Sequence, residues 1–158
     1  MFHRILVAVD GSAHANRALA EAIDLARLER AQLTIFTAVP RPTPFVGFAG
    51  IPPTQFANEL EAEFGDILRT AADTVPDGIG VQTMLGHAPV QDALLEQVQT
   101  GRFDLLMMGS RGRGALRSAL LGSVSHHLLN HSPIAVLIVH ADASFQPPEP
   151  ASRTLAEA

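Results

Sequence analysis

The chain has 158 residues, 47% hydrophobic and 17% charged, a length and balance that suit one globular domain with its own core rather than two. A formal charge of −5, with no basic cluster outside residues 111–117, removes the electrostatic case for nucleic acid or an anionic membrane and leaves small molecules and proteins as partners. The absence of cysteine excludes disulfides, thiolate metal sites and cysteine nucleophiles, and makes the cytoplasm the expected compartment.

Five apolar runs mark strands, at 5–9, 33–39, 79–85, 105–108 and 134–139; they are too continuous for strands with one wet face and suit a parallel sheet buried on both. The first begins so near residue 1 that no signal peptide is expected, and no run approaches the ~20 apolar residues of a membrane span. After it, Ser12 offers a helix cap, and Ala15, Ala18, Leu19, Ala22, Ile23 and Ala26 recur at helical spacing. The second run leads into residues 40–53, rich in Pro and Gly and carrying Phe45, Val46, Phe48 and Ile51. Apolar content in so long a loop predicts docking over the fold or onto a partner. Phe56, Leu60, Ile67, Leu68 and Ala71 predict a second helix, and Val90, Ala93, Leu94 and Val98 behind Pro89 a third. A fourth starts at Ser123 and stops at Ser132, before Pro133. Residues 1–140 thus read as the domain, and 141–158, with prolines at 147, 148 and 150, as a disordered tail.

The alternating order β-α-β-α-β-α-β-α-β requires right-handed crossovers and gives a doubly wound α/β domain. Its ligand site lies outside the carboxyl ends of the strands, where strand order reverses. Asp10 and Gly109 stand at such ends. From Gly109 the chain reads Gly-x2-Gly112-x9-Gly122-Ser123: a strand end, two glycine turns and a helix start, which aim backbone N–H groups and a helix dipole at one point. Phosphate suits this cradle; the plain alternative is a βα loop whose glycines serve turn geometry alone. Arg111, Arg113 and Arg117 add forked donors for phosphate oxygens, Arg111 first, unless they are ordinary solvated surface. Asp10 would be a natural cap for the next helix, but Ser12 is at least as good a cap, which leaves the Asp10 carboxylate free. His127 and His131 lie four apart, as zinc ligands can, yet no third ligand is apparent and packing explains them. His14 and His126 fall near the same mouth, where solvated or locally bonded imidazoles are the simpler reading.

On Ile5-Leu-Val-Ala-Val-Asp10-Gly-Ser12 and on the stretch from Gly109 to Ser125, the chain resembles the nucleotide-binding branch of the universal stress protein family, over about residues 1–140. The resemblance implies a five-stranded parallel sheet in the order 3-2-1-4-5, helices on both faces, and an adenine nucleotide held across strands 1, 2 and 4. By it, Ala8 and Asp10 line the adenosine side, Ala38 lies near the adenine, and Met108 and Gly109 border the ribose. Gly112, Gly122, Ser123, Val124 and Ser125 hold the phosphates, with Arg111 beside them. ATP, with or without Mg2+, is the expected ligand, and other adenine nucleotides are the alternatives. The expected role is nucleotide-dependent stress response or regulation, with a protein partner not identified. Strand 5, at a sheet edge in that order, is expected to pair with its copy in a homodimer. The competing function is a slow ATP hydrolase or phosphotransferase on the same site. Against it stand the lack of a Gly-x4-Gly-Lys-Ser/Thr loop, of any lysine, and of an obvious acidic pair for magnesium. A receiver-like phospho-acceptor is disfavoured by the single Asp after strand 1, and a dinucleotide fold by Asp-Gly-Ser where Gly-x-Gly-x-x-Gly is needed.

Overall fold

Strands and helices alternate in the order β1 Arg4–Ala8, α1 Ala13–Glu29, β2 Gln32–Val39, α2 Pro53–Asp73, β3 Val81–His87, α3 Val90–Thr100, β4 Leu105–Gly109, α4 Ser123–His131 and β5 Ala135–Val139. The computed structural model describes residues 1–41, 52–114, 121–142 and 144–146; the apolar loop at 42–51, Arg117 and the tail from 147 lie outside them. All strand pairs are parallel, and the sheet runs β3-β2-β1-β4-β5, the order that the resemblance implies.

Side-chain alternation along the strands sorts the core into two layers. Ile5, Val7, Leu33, Ile35, Leu105 and Met107 pack with α1 and α2, while Leu6, Phe36, Leu106 and Met108 pack with α3 and α4. The stripe predicted for α1, from Ala15 to Ala26, is its buried face. Ser12 caps this helix by accepting the Ala15 N–H at 3.3 Å, and Arg30 ends it in the left-handed region at φ 55°.

Two strand expectations are corrected. β3 occupies 81–87 rather than 79–85, because Gly78 turns at φ +95° and the Gly80 carbonyl accepts the Leu33 N–H at 2.8 Å, so that pairing starts with Val81 opposite Leu33. Nor are all five strands buried on both faces. β3 and β5 form the edges, where Val81 and Leu85 are each 39% exposed and Leu137 is 43% exposed. The start of the segment expected to be disordered docks on α1. The Ala141 N–H donates to His14 Nδ1 at 2.8 Å, and the Arg17 guanidinium lies 5.3 Å from the centre of the Phe145 ring.

Candidate functional site

β1 and β4 are neighbours whose connections leave toward opposite faces, α1 to one and α4 to the other, so a crevice opens beyond their carboxyl ends. It holds a cavity of about 570 Å³, a size typical of small-molecule sites. The walls bring together Ala8, Asp10, Ala38, Met108, Gly109, Arg111, Gly112, Arg113, Gly122, Ser123, Val124 and Ser125; Arg117 lies outside the described residues, and His14 and His126 are not in the lining.

One end of the cavity is built from backbone. The Gly122 N–H donates to the Ser110 carbonyl at 2.7 Å, which closes the glycine loop at its base. The first intrahelical bond of α4 runs from the His126 N–H to the Gly122 carbonyl at 2.9 Å. The N–H groups of Ser123, Val124 and Ser125 therefore stand in the first turn, where a helix offers no internal partner and its dipole is positive. Gly122 has φ −72°, so the positive φ that glycine often supplies is not its role here. A Cβ on it would meet nothing nearer than the Ser110 carbonyl oxygen, at 3.4 Å.

Asp10 lines the cavity and also holds backbone. Its Oδ1 accepts the Ser12 N–H at 2.9 Å and its Oδ2 accepts the Arg113 N–H at 2.9 Å, so the carboxylate clasps the end of β1 to the glycine loop. Both oxygens are already engaged, though each retains a further lone pair. Arg113 reaches away toward α2, pairing with Glu63 at 2.6 Å and stacking 5.5 Å from the centre of the Phe64 ring. The Ser125 hydroxyl donates to the Gly109 carbonyl at 2.9 Å, tying α4 to the end of β4.

The other end is apolar, walled by Phe36, Phe64, Val90, Leu94 and Met108. β1 pairs with β2 only as far as Ala8 opposite Phe36, with the Val9 N–H on the Phe36 carbonyl at 2.8 Å, while β2 runs on to Val39. In a parallel ladder alternate residues turn their backbone groups to alternate neighbours. Val39, whose carbonyl accepts the Ala88 N–H, faces the β3 side; Ala38 therefore turns its N–H and C=O toward the crevice that β1 has vacated.

Behind the loop, Ser110 is fully buried, with Oγ 2.7 Å from His140 Nδ1 and 3.2 Å from His14 Nδ1. Because His14 Nδ1 accepts the Ala141 N–H, that nitrogen is unprotonated. Burial, then the positive charge of Arg111 and His140, holds the His14 pKa below its usual value, with Asp10 opposing in part. His127 and His131 share a face, as their spacing predicts, with rings stacked at 4.2 Å; among the described residues no group of three metal-ligating side chains gathers. His126 is exposed on α4. Sequence reasoning missed Phe36, Thr37 and Phe64 as cavity residues. Phe64 had a legible signal: it stands four residues from both Leu60 and Leu68 on the predicted helix.

Comparison with known proteins agrees with this fold. The universal stress protein YxiE of Bacillus subtilis is 31% identical over 147 residues, spanning 88% of this chain and 99% of its own. The solved structure of universal stress protein UspA from Lactobacillus plantarum superposes with TM-score 0.75 at 22% identity, over 87% of this chain and 97% of the other. A universal stress protein crystallised in complex with cAMP is 27% identical with TM-score 0.57, over 88% and 97%. The model of the universal stress protein family matches residues 1–140, and the chain belongs to that family.

Proposed function

We propose that the chain is a nucleotide-dependent stress-response regulator that binds an adenine nucleotide, ATP above others, in the crevice beyond β1 and β4. The observation that carries this reading is the polarity of the cavity along its length. Amides of the α4 first turn and of the glycine loop gather at one end, and an apolar slot with the Ala38 N–H and C=O lies at the other. The first suits phosphate oxygens. The second offers a donor and an acceptor side by side, matching the ring nitrogen and exocyclic amine of adenine. That a relative has been crystallised with cAMP supports the same ligand class.

Asp10 is the one carboxylate among the described lining residues, and its two oxygens already hold backbone amides. A cation accompanying the phosphates would find no second carboxylate among the described lining residues to bind it, and none to activate water, so the site favours holding ATP over hydrolysing it. Slow hydrolysis is the second reading, and binding without turnover the first. Among the described residues no helix is long and apolar enough to cross a membrane; together with the lack of cysteine, this supports the cytoplasm as the working compartment. We also propose a homodimer through β5, whose uncharged edge AVLIV is otherwise open.

Mass spectrometry of small molecules released from the purified protein, followed by calorimetric titration with ATP, ADP and AMP, tests the ligand. Co-purifying adenine nucleotide or saturable binding is expected. Failure of all three to bind below about 1 mM would overturn the proposal.

A further inference from the structure

We infer that Gly86 is a positioning residue of the cavity: by leaving space on β3 for the Phe36 ring, it keeps that ring out of the apolar slot and so sets the width open to a purine base. Gly86 lies within β3, where glycine weakens a strand, and its φ is not in the left-handed region, so the backbone does not call for it. What requires it is space. A Cβ at this position would stand 2.5 Å from Phe36 Cζ and 2.8 Å from Phe36 Cε2, with Ala93 Cβ of α3 a further contact at 3.6 Å. The ring therefore occupies the volume that a side chain at 86 would fill.

The strand register shows which way the ring would yield. Gly86 pairs with Ala38, two residues beyond Phe36, so all three share the sheet face covered by α3 and α4. β2 runs between β3 and β1, and Phe36 pairs with Met84 on one side and with Ala8 on the other. Ala8 and Phe36 both line the cavity, while Leu6, Met84 and Leu94 pack the layer around the ring. A methyl group on β3 drives the ring away from β3 and toward β1, and on that side lies the slot that Val90 and Leu94 also wall. The atoms in the way belong to the far end of a side chain rather than to backbone, so the ring turns while the sheet keeps its register. This role rests on the adenine-nucleotide reading and names what shapes its base-binding end.

Calorimetric titration of the full chain with ATP and with ADP, on wild type, Gly86→Ala, Phe36→Leu and the double variant, tests it as a double-mutant cycle. Gly86→Ala is expected to bind both nucleotides at least about tenfold more weakly, by the same factor, because the slot takes the base they share. In the Phe36→Leu background, where no ring remains to be displaced, the same substitution should change affinity by less than about threefold. Equal affinity in wild type and Gly86→Ala would overturn the inference and leave the nucleotide reading standing. So would a loss of the same size in both backgrounds, which marks an effect that bypasses the ring, or a loss for ATP alone, which belongs to the phosphate end. Circular dichroism of each variant checks the fold; a Gly86→Ala chain that does not fold would show that the ring has no free side to turn to, and would overturn it too. A folded wild type that binds neither nucleotide would overturn the nucleotide reading itself, and this inference with it.

Discussion

At Gly109 the chain has no room for a side chain. A Cβ there would sit 2.6 Å from the His14 carbonyl carbon and 2.7 Å from the Ala15 nitrogen, backbone atoms of α1 that cannot swing aside. Gly109→Ala should therefore lose about 2–4 kcal/mol of stability, read as a lowered denaturant midpoint; a shift below about 0.5 kcal/mol would show that α1 does not press on β4 as described. Gly112 is tight for a different reason: its Cβ would stand 2.6 Å from Asp10 Oδ2, the atom that holds the Arg113 amide. The glycine spacing was legible because an anion cradle is made of backbone, and only glycine advertises backbone in a sequence. The double engagement of Asp10 was not legible, because its partner Arg113 lies 103 residues away. His14 adds a pH dependence. Its folded pKa lies below the ordinary 6.5, so between 6.5 and that lowered value the unfolded chain binds more protons and stability falls as pH falls. Above 6.5 the contribution is complete. Protonation also removes the acceptor for the Ala141 N–H while Arg111 and His140 oppose the new charge and Asp10 favours it, so hydrogen exchange at Ala141 should quicken in that window. A pH-independent exchange-protection factor there would contradict this.

Among the elements, the central strands were the most readable and the edges the least. Ile5–Val7 and Leu105–Met107 are buried on both faces and read as such, whereas β3 and β5 carry similar apolar runs but lie at the sheet margins, a position that composition does not encode. The helix α1 was legible down to its buried stripe; α2 was legible as a helix, and its spacing also allows Phe64, four residues from Leu60 and Leu68. The apolar edge of β5 carries the dimer proposal. Val139 turns its carbonyl to the Ser110 N–H on the β4 side, so by alternation Ile138 turns its N–H to the open edge. Ile138→Pro removes that edge donor and spares the ladder to β4. Light scattering at micromolar concentration should find a dimer for wild type and a monomer for Ile138→Pro. A monomeric wild type, or a variant that remains dimeric, would count against pairing through β5.

For the whole molecule, the two-layer core and the switch between β1 and β4 bring strand ends, a glycine loop and a helix start to one crevice, and this convergence is what the binding reading depends on. The doubly wound class was legible from the alternation of runs, and the strand order only from the family resemblance; the depth and apolar lining of the cavity were not legible, because they arise where β2 outlasts β1 by three residues of the register. The central claim is that Gly122 keeps open the approach of a phosphate to the α4 amides. Its backbone, at φ −72° and ψ 157°, is one that valine adopts readily, and its Cβ position has ordinary clearance, so Gly122→Val should fold. Calorimetric titration of ATP into wild type and Gly122→Val, with circular dichroism to verify the fold, is the most direct test. Saturable binding by wild type and an affinity at least about tenfold weaker in the folded variant are expected; unchanged ATP affinity in a folded Gly122→Val would contradict this role of Gly122.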